Sequence, residues 1–317
     1  MPLDALNYLR SSFLGPYLLK DSVTDISYNG EDLYYVDNLE GRKKAETSPS
    51  SEEVLSFLKQ IANFTEKSFH LAEPLLDVSL GPYRLNAVHP SLSRRGERKV
   101  PSFSLRIASK DSRIKKDPDF LEPEAKTILL SLLKERRSLL IGGATGTGKT
   151  ELQKYLLSLL EPNTRIIVLD NVEELSTLEE EALDMTTWLT DIAPRLSLSE
   201  LIRNALRHHP DYLIVAEARG KEMSDALFAA GSGHPLIMTL HASSLEAMPL
   251  RVLRLARMGE EAAREDLLME EISNLLSHYL FLEKKIDEEG KIRRYLKAIG
   301  ELEKDGKMRL LYERKER

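Results

Sequence analysis

Gly143-Ala144-Thr145-Gly146-Thr147-Gly148-Lys149-Thr150 fits the spacing G-x-x-x-x-G-K-[ST]. Glycines in such a loop let backbone N–H groups converge on phosphate oxygens, and a helix that starts there adds a favourable dipole. Lys149 is placed to reach the β- and γ-phosphates of a nucleotide, and the Thr150 hydroxyl to ligate Mg2+. A glycine-rich turn that binds nothing is the plain alternative. Context opposes it: Ser138–Ile141 reads as a strand. After the loop, Glu151–Leu160 sets Leu152, Tyr155, Leu156, Leu159 and Leu160 on one helix face. The expected nucleotide-binding set is therefore Gly143 to Thr150, with Glu151 next in the helix.

A phosphate loop needs a metal-associated carboxylate and a group that orients water. Two apolar runs end in acids: Arg165–Leu169 leads into Asp170-Asn171-Val172-Glu173-Glu174, and Tyr212–Ala216 leads into Glu217. Ligands of open α/β sheets bind at the carboxyl ends of strands. Ala216 stands where many ATPases carry a metal-binding aspartate, so that role falls to Glu217 or to the Asp170–Glu174 cluster. Asp170 also suits a helix N-cap and Glu173 a solvated position, whereas Glu174 and Glu217 read as functional. A further run, Leu236–Leu240, ends at His241, where either a γ-phosphate sensor or a satisfied core histidine would fit. Ser243 with Glu246 predicts a capping box on the next helix.

Short apolar runs alternating with helices predict a parallel sheet with helices around it. One strand lies in sequence between the loop strand and the Glu217 strand, which suggests the RecA-like division of phosphate-loop proteins. The first 108 residues read differently, as an α+β domain. There, Asn29-Gly30 predicts a hairpin between Val23–Tyr28 and Leu33–Val36. Ser50 with Glu53 predicts a capped helix whose buried face includes Val54, Leu58 and Ile61. Strands are expected at 76–80, 83–88 and 103–107. Residues 109–123 are charged, hold two prolines and read as a linker. Basic residues crowd from Arg94 to Lys116. A solvated loop is the preferred reading, a patch for phosphate or an acidic partner the alternative. The ATPase domain is expected over 124–317, ending in a charged extension with a hairpin near Glu289-Gly290 and a strand near Tyr295–Ile299.

The 317 residues carry 45 basic and 51 acidic side chains, with 42% apolar residues, which suits a folded two-domain protein and excludes disorder. Without cysteine there are no disulfides or thiolate metal sites. The opening MPLDALNYLR has no cationic leader before an apolar stretch, so no secretory signal is expected. A net charge of −6 and 6% aromatic residues argue against a nucleic-acid motor, and no direct nucleic-acid binding is expected.

Four motifs, in order, resemble the traffic ATPases of type II and type IV secretion and of type IV and Flp/Tad pilus assembly. They are GATGTGKT, the acidic box DNVEEL (170–175), YLIVAEARG (212–220) and GSGHPLIMTLHAS (231–243). VTDISYNG (23–30), PYRLNAVHP (82–90) and FSLRI (103–107) resemble the front domain of that family, so the likeness covers nearly the whole chain. GHPLIMTLHA and RLNAVHP are nearest the conjugation and Flp/Tad branch. The resemblance implies a RecA-like ATPase domain preceded by a smaller PAS-like α+β domain, with ATP and Mg2+ as cofactors. It also implies a hexameric ring, cytoplasmic and peripheral to the inner membrane, with membrane platform proteins as partners.

Carried over by position, Lys149 and Thr150 hold phosphate and Mg2+, Glu174 polarises water, and Glu217 lies near the metal. Asp170 joins Thr150 and Glu217 as a candidate metal ligand, and His241 matches the family's histidine box. Arg84 and Arg106 align with arginines that reach toward the nucleotide. The family's acidic box usually begins Glu-Asp; Asp170-Asn171 shortens one carboxylate and loses the other, a departure that bears on metal affinity or rate and removes no essential group. A RecA-like nucleic-acid motor and a nucleotide-binding structural switch with little hydrolysis are the alternatives.

Overall fold

Along Leu75–Leu80 every second residue is buried, the period expected of a strand with one face on a core. The computed structural model describes residues 3–109, 112–170, 175, 182–189, 196–259 and 264–315. The chain divides into two compact units, Met1–Ser109 with Ile286–Ile292, and Lys110–Lys285 with Arg293–Arg317.

The first unit runs α1 (Leu3–Ser11), α2 (Gly15–Leu18), β1 (Val23–Tyr28), β2 (Leu33–Asp37), β3 (Gly41–Lys44) and α3 (Ser51–Phe64). It continues through β4 (Leu75–Leu80), β5 (Tyr83–Val88), a short ribbon of β6 (Arg94–Arg95) and β7 (Arg98–Lys99), and β8 (Ser102–Ile107). Six of these strands form an antiparallel sheet in the order β3-β2-β1-β8-β5-β4. The β1–β2 turn is fixed by Asn29, whose Oδ1 accepts from the N–H groups of Glu31 and Asp32. Gly30 follows at φ +95°, where a side chain would also strike Val100. The capping box of Ser50 and Glu53 forms, and α3 buries Val54, Phe57, Leu58, Ile61 and Ala62 against the sheet.

The second unit comprises α4 (Pro123–Lys134), β9 (Leu139–Gly143), α5 (Lys149–Leu157), β10 (Arg165–Asp170), β11 (Asp184–Leu189), α6 (Leu198–Ala205), β12 (Tyr212–Val215) and α7 (Glu222–Gly231). Then follow β13 (Leu236–His241), α8 (Ala247–Arg257), α9 (Glu265–Leu275), β14 (His278–Ile286), β15 (Ile292–Leu302) and β16 (Met308–Glu313). Its sheet has the order β11-β10-β12-β13-β9-β14-β15-β16, parallel from β11 to β14. The central strands are buried throughout because both faces are covered. Leu139, Ile141, Val168 and Ile214 face a core with α4 and α5, and Leu140, Leu169, Val215 and Met238 face one with α6 to α9. The molecule is thus mixed α/β. Among the described residues no helix is long and apolar enough to cross a membrane.

Several local expectations need revision. Ser243 and Glu246 do not cap α8; the Ser244 hydroxyl accepts from Ala247 N–H instead. Helix α5 ends at Leu157, short of Leu160. The expected linker clusters with the second unit: Ile114 and Phe120 are buried in its core, and Ser112 and Arg113 bond to Glu151. Its composition is charged, but two apolar residues suffice to anchor it. The turn expected near Glu289-Gly290 and the strand near Tyr295–Ile299 do form, and β14 to β16 extend the sheet, β14 through its apolar run Tyr279–Leu282.

Gln153, fully buried on α5, donates through Nε2 to the carbonyls of Val215 on β12 and Ile237 on β13, at 2.9 and 3.0 Å. This side chain ties the helix to two strands at once. Gln153→Leu keeps the volume and loses both bonds, so the unfolding free energy in urea should fall by about 1–3 kcal/mol. An unchanged midpoint would show that the tie is idle.

Candidate functional site

The turn from β9 to α5 is made by three glycines in the left-handed region, Gly143 at φ +153°, Gly146 at +75° and Gly148 at +95°. A Cβ on Gly143 would meet both Leu282 O and Thr147 Oγ1 at 2.7 Å, so only glycine fits there. The Thr147 hydroxyl donates to Ala144 O and closes the turn. Lys149, in the first turn of α5 and nine-tenths buried, folds back over the loop. Its ammonium donates to Gly143 O and Ala144 O at 3.1 and 3.0 Å and lies 3.4 Å from His241 Nδ1. Thr150 follows in the same turn. Glu151 points elsewhere, accepting from Arg113 N–H at 2.6 Å.

Strand pairing brings the other groups to this edge. His241 ends β13 directly beside Gly143, and its Nε2 lies 3.0 Å from Glu217 Oε1. Glu217 follows β12 and is held by its flanks. The Thr239 hydroxyl donates to Ala216 O, and Ala218 N–H donates to Thr239 O. Arg219 donates to Glu217 Oε2 at 2.7 Å, while Glu222 accepts from the N–H groups of Arg219 and Gly220. Lys149, His241, Glu217 and Arg219 thus form one chain of contacts. Burial opposes ionisation of Glu217, but Arg219, with His241 and Lys149, holds its carboxyl below the usual range. Asp170 is fully buried at the end of β10 and accepts from Leu175 N–H at 2.8 Å. Glu174 lies outside the described residues.

In the first unit, Arg84 on β5 and Arg106 on β8 stand directly opposite each other, on the sheet face away from the core. Their partners are Asp77 and Asp25, each at 3.5 Å. The two carboxylates offset the repulsion between like charges in register.

Thr239, Arg219, Lys284 and Arg294 also belong to the surroundings of the site, beyond the candidate residues that the motifs supply. Arg219 lies two residues after Glu217 and was legible as its neighbour. Lys284 and Arg294 were not, because they meet the loop from strands about 140 residues away: Lys284 Nζ donates to Thr145 O, and Arg294 Nε to Gly146 O. A glycine loop with an ammonium at its mouth can hold polyanionic phosphate. A fixed, ionised carboxylate beside it can bind a hard cation or steer a proton.

The profile of type II/IV secretion system proteins matches residues 96–286, more than half of the chain. An uncharacterised protein of Bacillus anthracis is 30% identical over 84% of this chain, which spans 62% of that relative's length. A putative conjugal transfer protein of Mycobacterium tuberculosis is 27% identical over 78% of this chain and 74% of its own. The X-ray structure of the Legionella pneumophila ATPase DotB superimposes with a TM-score of 0.66 at 19% identity. The match covers 93% of this chain and 79% of that one, a likeness of fold.

Glu217 has a folded-state pKa below its unfolded value, so its ionisation stabilises the fold at neutral pH. That contribution fades as the pH falls below about 4, through the depressed pKa. Arg219→Gln should therefore unfold at lower urea than wild type at pH 7, and the gap should close below about pH 4. A gap that is constant with pH would contradict the pairing.

Proposed function

We propose a function from one premise: the chain belongs to the type II/IV secretion system protein family. It is an ATPase that assembles as a hexameric ring and powers transport of protein, pilin or conjugation substrate in a type IV secretion or pilus machine. It works from the cytoplasmic side of the inner membrane, on platform proteins of that machine. The observation that supports this reading most is the contact chain from the loop lysine, Lys149, through His241 to an ionised Glu217.

In this reading the second unit is a RecA-like ATPase domain, supported by the place of β13 between β9 and β12, and the first unit is the PAS-like domain. The two domains keep the sequence bounds 1–108 and 124–317, with residues 110–123 added to the second, with which they cluster.

The residues fit ATP and Mg2+. The positive-φ glycines give the loop a turn that residues with a Cβ would strain, and Thr150, Glu217 and Asp170 offer the hard oxygen donors that Mg2+ prefers. When bound, Mg2+ would neutralise charge on the β- and γ-phosphates. Lys149 exchanges its bonds to Gly143 O and Ala144 O for phosphate oxygens. His241, beside the loop's first glycine, senses the γ-phosphate and conveys its presence to Glu217. Glu174 polarises the attacking water. Arg84 and Arg106, which stand in register, supply positive charge for the γ-phosphate in the transition state.

Arg106→Ala should bind nucleotide as wild type does and hydrolyse it roughly 10²–10³ more slowly. Unchanged turnover would retire that role. A wild-type rate no higher than that of Glu174→Gln, with ATP binding intact, would make the protein a nucleotide switch instead.

A further inference from the structure

We infer that Arg294 and Lys284 are positioning residues of the phosphate loop, cations that grip its carbonyls from behind and so set its affinity for nucleotide phosphates. The inference rests on the nucleotide-site reading above and adds a second layer to it.

Strand β14 runs parallel to β9 and pairs with it up to Leu282, opposite Gly143. Two residues further on, Lys284 Nζ donates to Thr145 O at 3.2 Å. From the adjacent strand β15, Arg294 Nε donates to Gly146 O at 2.7 Å. Lys284 is exposed; Arg294 is half-buried, with its Cδ near Gly148. Phe120 packs over the same glycine and is tied to β15 by the bond from Leu296 N–H to Phe120 O. Arg294 is thus placed by its own strand and by the segment that crosses the loop. Burial and the neighbouring Arg113 both work against its charge, with Asp117 opposing them, yet the guanidinium stays directed at the loop.

The chemistry follows from the peptide unit. In a phosphate loop the N–H groups converge on the anion, so the attached carbonyls point away and need partners of their own. The carbonyl of Thr145 shares its amide with Gly146 N–H, and that of Gly146 with Thr147 N–H. A cation on each oxygen polarises the amide and makes the N–H at its other end a stronger donor. It also holds Gly146 in its left-handed conformation when phosphate is absent, so less ordering remains to be done on binding.

The test is equilibrium binding of ADP to the full chain, with steady-state hydrolysis and thermal unfolding without nucleotide, for wild type, Lys149→Ala, Arg294→Gln, Arg294→Lys and Lys284→Gln. Arg294→Gln should bind ADP about tenfold more weakly, with KM for ATP raised by a similar factor and kcat little changed. Lys284→Gln, at an exposed site, should lose about threefold. Arg294→Lys should recover part of the loss, because it restores the charge without the planar fork. Wild-type affinity in Arg294→Gln, with binding lost in Lys149→Ala, would overturn this inference and leave the nucleotide site standing. Weakening that Arg294→Lys does not relieve, and that follows the melting temperature, would also overturn it. A wild type that binds no ADP would overturn the nucleotide-site reading itself, and this inference with it.

Discussion

The pairing of β13 with β9 on one side and β12 on the other is the constraint on which the candidate site depends. Parallel pairing in this register sets His241 beside Gly143 and Met238 beside Val215, so the strands reach the sheet edge together. A slip of one residue would turn every side chain of β13 to the other face, removing His241 from Glu217 and the Thr239 hydroxyl from Ala216 O. The apolar alternation of Leu236, Ile237 and Met238 between two cores prevents that slip, because each residue is buried on its own side. Packing of ordinary aliphatic residues thereby determines where the polar chemistry meets.

At that edge the charges are arranged so that each has a partner. Lys149, His241, Glu217 and Arg219 touch in sequence, and the Glu217 carboxylate, 12% exposed, is held ionised by these neighbours against the effect of burial. Gln153 performs the neutral version of the same task, tying α5 to the strands on which the acid and the histidine stand. In the first unit the same rule holds for Arg84 and Arg106, which stand in register and meet Asp77 and Asp25.

Much of this was legible in the sequence because it is local. The glycine loop, the apolar runs that became β9, β10, β12 and β13, the Asn29-Gly30 turn and the Ser50–Glu53 capping box all depend on residues within a few positions of one another. What could not be read depends on pairing across the chain. The apolar run Tyr279–Leu282 signals a strand but not its place beside β9, and so Lys284 and Arg294 could not be associated with the loop. Thr239 looked like one more strand residue until its hydroxyl was seen on Ala216 O. Ser243 lost its expected capping role to Ser244 because α8 begins later than the motif implied. The role expected of Glu174 falls outside the described residues.

The central claim is that the loop and its lysine drive hydrolysis in an assembled ring. Its most direct test is the steady-state ATPase rate per subunit measured against protein concentration, with mass followed by light scattering, for wild type and Lys149→Ala. The account predicts a rate per subunit that rises as a closed ring forms, and no hydrolysis by Lys149→Ala at any concentration. Equal rates in the two proteins would contradict it, as would a wild-type rate indifferent to assembly.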